Sequence, residues 1–545
     1  MNAFANKTYA QSLAYLAERF AGRDALVFRG RRWSFEAAQR ETENASARLA
    51  ALGLAKQDKI ALWMPNRPEF IWYWLGAAQL GLVAVVLNTR LTPEETAYQL
   101  EQSETRALVM AGASEFRDFV RDFVQLCPEL LTARPGNVAC ARLPDLRHAI
   151  CLDPSPPSFQ GLTDWSAPET IRSTNSPPLE NDPDRPAMIV YSSGTTALPK
   201  GVVLTHSVWR KAADHGHRIS QTADDRLYLC VPLFGIMGNV NGILTCWTQG
   251  SAVVLEDGFN ELAAMRDIQL ERCTLIYLMP VMLERLLTHP DRTQFDLGSL
   301  RSGTVVTNDP AVLERAIVEL GLRDLYSTYG MSELSSVALR SFGHDPIEVK
   351  LNTHGTPMPD IELRIADPET NLTLSDNQIG EIQVRGYCVT PGYYRKPDET
   401  RASRTSDGWF KTGDAGLRRC SDGNFKFLSR LKDGYKYNGF NVSTVEIESV
   451  LLRHSAIAAA AVLGIPDRTA GEIGFAFVVA HAGTTIDETE IQSYLRTLLA
   501  SYKRPRRIVP VDELPLTAGT GKVQKFKLRE LALTMTSRPP VEPTG

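Results

Sequence analysis

The chain has 545 residues, 43% of them hydrophobic and 22% charged, which is too long for one core and ordinary for a globular enzyme of two or more domains. A formal net charge of -4 argues against a nucleic-acid polyanion as the main partner. The 8 cysteines are scattered with no CxxC or Cys/His cluster, so a disulfide frame and a zinc site are not expected, and reduced thiols point to a cytoplasmic protein.

The N-terminal MNAFANKTYAQSLAYLAERF has no basic stretch before an apolar core, so no secretory signal is expected. KIALWM (59–64) reads as a strand. Asn66 followed by Glu69 reads as a capping box for a helix that runs to about Leu80, with Gly81 to end it. LVAVVL (82–87) then reads as a buried parallel strand. That division splits FIWYWLGAAQLGLVAVVL (70–87), the one stretch near bilayer length, into helix and strand, and no transmembrane segment is expected. RALVMA (106–111), SAVVLE (251–256) and TLIYLMP (274–280) continue the strands, and the alternation with amphipathic helices predicts mostly parallel sheets flanked by helices, an α/β fold. The Pro-, Ser- and Asp-rich 152–186 reads as a domain boundary or a surface connection.

YSSGTTALPKG (191–201) lies between the apolar runs AMIVY and VVL. Its small residues would let backbone N–H groups approach a phosphate chain, with Lys200 adding a charge; the same residues make an ordinary turn. Pro199 and Gly201 beside the lysine, and a strand in place of a helix after it, exclude a Walker A loop, and no GxGxxG supports a dinucleotide site. In STYGMSE (327–333) an aromatic beside glycine suits a flat base, Ser332 a phosphate oxygen and Glu333 a hard cation; a strand end entering a helix is the plainer reading. DGWFKTGD (407–414) reads as a turn-rich loop whose Asp414 offers two acceptors to a vicinal diol. SRLKDGYKYNG (429–439) reads as a linker or a hairpin, carrying Arg430 and Lys432. A fresh α/β pattern follows it: STVEIESVLLRH as helix, AAAAVLGI and FAFVVA as strands. LPLTAGTGKVQK (514–525) sets Lys522 between glycine and valine, and the Pro-rich tail SRPPVEPTG is expected to be disordered.

Taken in this order, from LNTRLTPEE (87–95) to Lys522, these segments resemble the adenylate-forming superfamily of acyl-CoA synthetases, peptide-synthetase adenylation domains and luciferases. The resemblance implies a large N-terminal ATP- and acid-binding domain over 1–430, a small mobile α+β lid over 431–535 and a tail over 536–545. It implies that Ser192, Ser193, Gly194, Thr195, Thr196 and Lys200 close over the β- and γ-phosphates of ATP. Tyr329 and Gly330, with the backbone at Ser302, Gly303 and Thr304, would hold adenine; Asp414 and Arg430 would bind the ribose. Ser332 would face the α-phosphate, Glu333 would hold Mg²⁺, and Lys522 would arrive with the lid as the catalytic cation. Lys432 falls at the hinge position and Gly439 beside the pantetheine channel, and the basic SYKRPRRIV (501–509) would meet CoA phosphates or remain solvated.

The chain departs from the pattern at Ala197, Ser429 and Thr444, none of which removes a functional group, and at VPLFGIMG (231–238), where Gly235 replaces an aromatic or histidine. Phe234, Gly235, Met237, Leu278, Met279, Gly303, Gly330 and Ser335 are the candidate acyl-pocket residues, each also readable as core. Their apolar character favours a medium-sized hydrophobic acid, fatty or aromatic. The resemblance thus implies an AMP-forming acid:CoA ligase with ATP, CoA and Mg²⁺. The rivals are transfer to a carrier-protein phosphopantetheine, a non-catalytic nucleotide binder and a luciferase-like oxidation. Monomer and homodimer are both open.

Overall fold

The computed structural model describes residues 2–114, 117–154, 159–166, 178–192, 198–307, 309–378, 380–431, 434–438, 440–515, 523 and 525–536. Two seven-stranded sheets form its frame. In the first, the strand Lys59–Trp63 lies between the parallel strands Val83–Val86 and Thr105–Met110, and the antiparallel pair Pro186–Ser192 and Lys200–Thr205 closes one edge. In the second, Arg226–Leu229, Ala252–Leu255, Leu275–Leu278 and Ser302–Val305 run parallel. Continuous apolar runs such as Val83–Val86, buried at every position, suit strands covered on both faces.

The helix Pro68–Gln79 explains the membrane-like look of its sequence, because every residue in it but Glu69 is buried. Among the described residues no helix is long and apolar enough to cross a membrane. The expected capping box is absent. Arg67 is the N-cap without a side-chain cap bond, and Pro68 supplies the first turn. Asn66 instead donates to the carbonyls of Val231 and Glu256 (3.0 Å each) and accepts from the Leu233 N–H (2.8 Å), tying the two frames together.

Two smaller antiparallel sheets follow. Thr328–Met331, Ser336–Arg340 and Thr356–Pro357 form one; Ile361–Ala366, Gly380–Gly386, Phe410–Arg418 and Phe425–Arg430 form the other. The last sheet begins at Gly434–Tyr437 and is built around the long hairpin Ile457–Asp467 and Gly471–Ala480, with helices Thr444–Leu451, Glu488–Leu498 and Lys525–Thr536. All eight cysteines are free and seven are buried. The sequence spacing gave no cluster, yet the return of the chain after helix Phe119–Leu126 brings ligand atoms of Cys127, Glu129 and Cys140 within 4.8 Å of one another.

Candidate active site

Two hairpins carry the first part of the site. In one, Tyr329 and Gly330 end a strand, Ser332–Leu334 make a single 3-10 turn, and the chain returns as Ser336–Arg340. The helix that the plainer reading of STYGMSE expects does not form, because Ser335 takes a left-handed φ of 52° and reverses the chain. Gly330 is fixed by a close approach: a Cβ there would stand 1.9 Å from the Ser336 carbonyl oxygen. The other hairpin brings Ser192 and Lys200 to the same place. The Ser192 hydroxyl donates to Glu333 Oε1 at 3.1 Å, and the Tyr393 hydroxyl donates to that oxygen at 3.2 Å. Glu333 is buried, and Lys200 Nζ lies 4.9 Å from the centre of the Tyr393 ring. Ser193, Gly194, Thr195 and Thr196 lie outside the described residues.

Tyr329 and Asp414 meet one strand away. The Tyr329 hydroxyl donates to Asp414 Oδ2 at 2.7 Å, and its ring stacks on Phe427 at 5.6 Å and 25°. Asp414 is not on a loop; it sits inside the strand Phe410–Arg418, and its backbone register partner is Arg430. His354 meets the Tyr329 ring edge-on at 6.4 Å and accepts the Phe427 N–H at Nδ1. Burial, helped by Lys436 and Lys426, pushes its pKa down to about 3, so the ring is neutral. Thr304 is buried in the wall of the same small cavity, about 170 Å³. Gly303 has φ +151°, and a Cβ there would meet the Ile276 carbonyl oxygen at 2.0 Å. This wall presents an aromatic ring and a carboxylate side by side.

A larger cleft of about 1970 Å³ opens beside it, lined by Ser332, Glu333, Lys200, Phe234, Gly235, Met237 and Met279. Two pocket expectations are corrected. Leu278 is fully buried in the core with Leu283 and Leu300, because its parallel strand is covered on that face. Ser335 spends its hydroxyl on the Cys388 carbonyl at 2.8 Å, which fastens the turn. Met237 opens a run of π-helix, Met237–Leu244, whose wider turns carry Asn241 toward Ser336. Asn241, Tyr277, Ser336, Tyr393 and Phe427 also line the two cavities, and no motif in the sequence marks them.

The C-terminal sheet forms the far side of the cleft through Lys436, Asn438, Phe440, Tyr502 and Lys503. The 88–95 segment meets it. Asn88 donates to the Tyr502 hydroxyl (3.2 Å), the Arg90 guanidinium lies 4.9 Å over Phe440, and Glu95 pairs with Lys503 (2.8 Å) and accepts the Ala500 N–H (3.2 Å). Lys503 also pairs with Glu446 at 2.9 Å, so this member of the basic segment is neither solvated nor free for a phosphate. Burial alone would lower its pKa; Tyr502, Glu446 and Glu95 outweigh that and raise it. Lys432, Gly439 and Lys522 lie outside the described residues, and Arg430 is described only in its backbone.

The AMP-binding enzyme family matches residues 13–394, and the AMP-binding enzyme C-terminal domain matches 446–522. The chain belongs to the AMP-binding enzyme family. Within it, the chain is 32% identical over 541 residues to a putative acyl-CoA synthetase of Bacillus subtilis, covering 97% of this chain and 98% of that one. It is 31% identical over 539 residues to the mitochondrial medium-chain acyl-CoA ligase of Homo sapiens, covering 96% and 87%. A double mutant of the o-succinylbenzoate CoA synthetase of Bacillus subtilis bound with a product analogue superposes with a TM-score of 0.80 at 26% identity, over 96% and 98% of the two chains. The same enzyme with its acyl-adenylate intermediate gives 0.65, again at 26% identity and over 96% and 98%. This family member therefore carries both domains of the family.

Proposed function

We propose that the chain is an AMP-forming acid:CoA ligase that activates a hydrophobic carboxylic acid, fatty or aromatic, with MgATP and passes the acyl group to CoA. The observation that carries this is that two pairs line adjoining cavities: Glu333 with Ser192 in the larger cleft, and Tyr329 with Asp414 in the small cavity that shares Gly330 and Met331 with it. The acid's carboxylate oxygen attacks the α-phosphorus of ATP, the bond to the β,γ-unit breaks, and pyrophosphate leaves with its electron pair. The CoA thiolate then attacks the acyl carbon and AMP departs. The residues have to align reactants and balance charge rather than make bonds.

Adenine rests on Tyr329, and Asp414 accepts from the ribose hydroxyls. The Ser192–Lys200 hairpin holds the distal phosphates. Mg²⁺ fits Glu333: it lines the cleft, the hydroxyls of Ser192 and Tyr393 both bond one of its two oxygens, Oε1, and one carboxylate completed by phosphate oxygens is a usual magnesium arrangement. The metal, when bound, supplies positive charge against the phosphate oxygens. Residues 1–430 act as the adenylation domain and 431–535 as a lid turning near Lys432, which brings Lys522 in for the first step and Gly439 to the thiol channel for the second. The higher likeness to the product-analogue form supports reading the present arrangement as the thiol-transfer one. The protein works in the cytoplasm with its thiols reduced, in keeping with eight unbridged cysteines.

The test is pyrophosphate release with MgATP and a panel of carboxylic acids, with and without CoA, for wild type and Lys522→Ala. Acid-dependent release with acyl-CoA and AMP appearing only when CoA is present is expected, and the variant should lose release by on the order of 100- to 1,000-fold. Release without any thioester from CoA would move the acceptor to a carrier-protein thiol; no release with any acid, with ATP still bound, would leave a nucleotide-binding protein.

A further inference from the structure

Behind the acid side of the cleft lies a group of buried basic side chains that the reaction above does not use. Lys211 and His215 stand one turn apart on helix Val208–Arg218, and Arg340 ends the strand Ser336–Arg340 that packs against it. Each is about 1% exposed. Lys211 Nζ, His215 Nε2, and Nε and Nη1 of Arg340 are buried with no hydrogen-bond partner among the described residues. Asp214, the carboxylate whose field reaches Lys211, is engaged elsewhere, accepting from Asn2 Nδ2 (2.7 Å) and the Tyr387 hydroxyl (2.6 Å).

A purely structural arginine would be expected to satisfy its donors. Arg340 lays its guanidinium 3.9 Å over the Tyr326 ring, which stabilises one face of the group, yet Nε and Nη1 have no hydrogen-bond partner among the described residues. Burial lowers its pKa and that of Lys211, the latter to about 8, yet a guanidinium remains charged in neutral solution. Unpaired buried charge is costly, and it is retained where a ligand supplies the missing acceptor.

The small cavity places that acceptor. Arg340 lines it with Asn241, Tyr277 and Ser336 as well as Tyr329 and Asp414, and Met237 lines both this cavity and the larger cleft. Ser336 donates to Asn241 Oδ1, which lies 3.0 Å from His215 Nδ1, and the Tyr277 hydroxyl donates to the Asn241 carbonyl at 3.1 Å. Along the strand from Ser336, beside the hairpin turn that carries Glu333, Arg340 is four residues on, about 13 Å at the usual rise. We propose that the acid activated here carries a second oxygen acceptor at the far end of its apolar body, a carboxylate or a ketone oxygen, and that Arg340 receives it. This rests on the ligase reading and narrows its substrate: an unfunctionalised fatty tail would leave the guanidinium as unpaired in the complex as in the free protein. Lys211 stands behind Arg340 and adds positive potential without touching the substrate, while burial, with Arg340 and Lys211 beside it, keeps the His215 ring neutral.

The experiment measures kcat/KM for acyl-CoA formation with octanoic and decanoic acids, with octanedioic and decanedioic acids, and with the ω-1 keto form of each monoacid. The wild type is expected to favour an oxygenated acid over the plain acid of equal length by on the order of 100-fold, mainly through KM, as a site built to bond a polar group rejects the analogue without it. The diacid and keto arms tell which oxygen is received. In Arg340→Met that ratio should collapse toward one, and Arg340→Lys should keep part of it. Preference of the wild type for plain acids at both lengths overturns the proposal without any variant, and so does an unchanged ratio in a folded Arg340→Met. No acyl-CoA from any acid, plain or oxygenated, overturns the ligase reading itself and this inference with it.

Discussion

Glu95→Gln should slow thioester formation by about 10- to 100-fold while leaving adenylation nearly unchanged. Glu95 meets Lys503 across the seam at 2.8 Å, with the two side chains only 11% and 2% exposed, so solvent screening is weak. Glutamine keeps the volume and an acceptor for the Thr92 N–H, so the capping box that opens helix Pro93–Gln102 persists. Lys503 keeps Glu446 at 2.9 Å and is not left uncompensated. What is lost is one charge-assisted bond between the N-terminal frame and the C-terminal sheet, worth about 1.5–3 kcal/mol. At ~1.4 kcal/mol per factor of ten, that shifts the population of this arrangement by roughly 10- to 150-fold. The assay is paired: acid-dependent pyrophosphate exchange reports the first step, and single-turnover transfer from preformed acyl-adenylate to CoA reports the second. Equal loss in both steps, or none in the second, would refute the reading of this seam as a feature of the thiol-transfer arrangement.

Asp414→Asn should raise the KM for ATP by about 10- to 100-fold with a smaller change in kcat, measured by steady-state pyrophosphate release, because a charged acceptor becomes a neutral one at the ribose contact. Unfolding should grow easier as pH falls from about 6.5 toward 5. His206, which accepts the Tyr9 N–H at Nδ1, is held down to about 4 by burial, and His354 to about 3. Folded values below the unfolded ~6.5 mean that the unfolded chain binds more protons, so stability is full above that pH and is lost below it by up to ~1.4 kcal/mol per unit and histidine. A melting temperature that stays flat over this window would show that these rings protonate in place.

What could be read in the sequence followed how locally each signal is encoded. Parallel strands such as Val83–Val86 announce themselves by continuous apolar residues, and YSSGTTALPKG, Tyr329, Glu333 and Asp414 stand in short segments whose order in the chain is informative. The misreadings came where distant contacts decide. Asn66 looks like a cap, but the ends of two strands more than 160 residues away offer it better partners than the helix does. The Cys127–Cys140 approach depends on how the chain between them turns back on itself, which no local pattern marks.

The basic segment at 501–509 shows why charge in a sequence is ambiguous: Lys503 looks like a phosphate ligand until Glu95, over 400 residues earlier, is set against it. Arg340 is the converse case. In sequence it is one more charge after an apolar run, and only burial beside Lys211 and His215 makes it unusual. The acids that pair Lys503 and the missing acid beside Arg340 are the same physical argument with opposite outcomes. A buried cation must be matched, within the fold at the seam and by the substrate at the pocket.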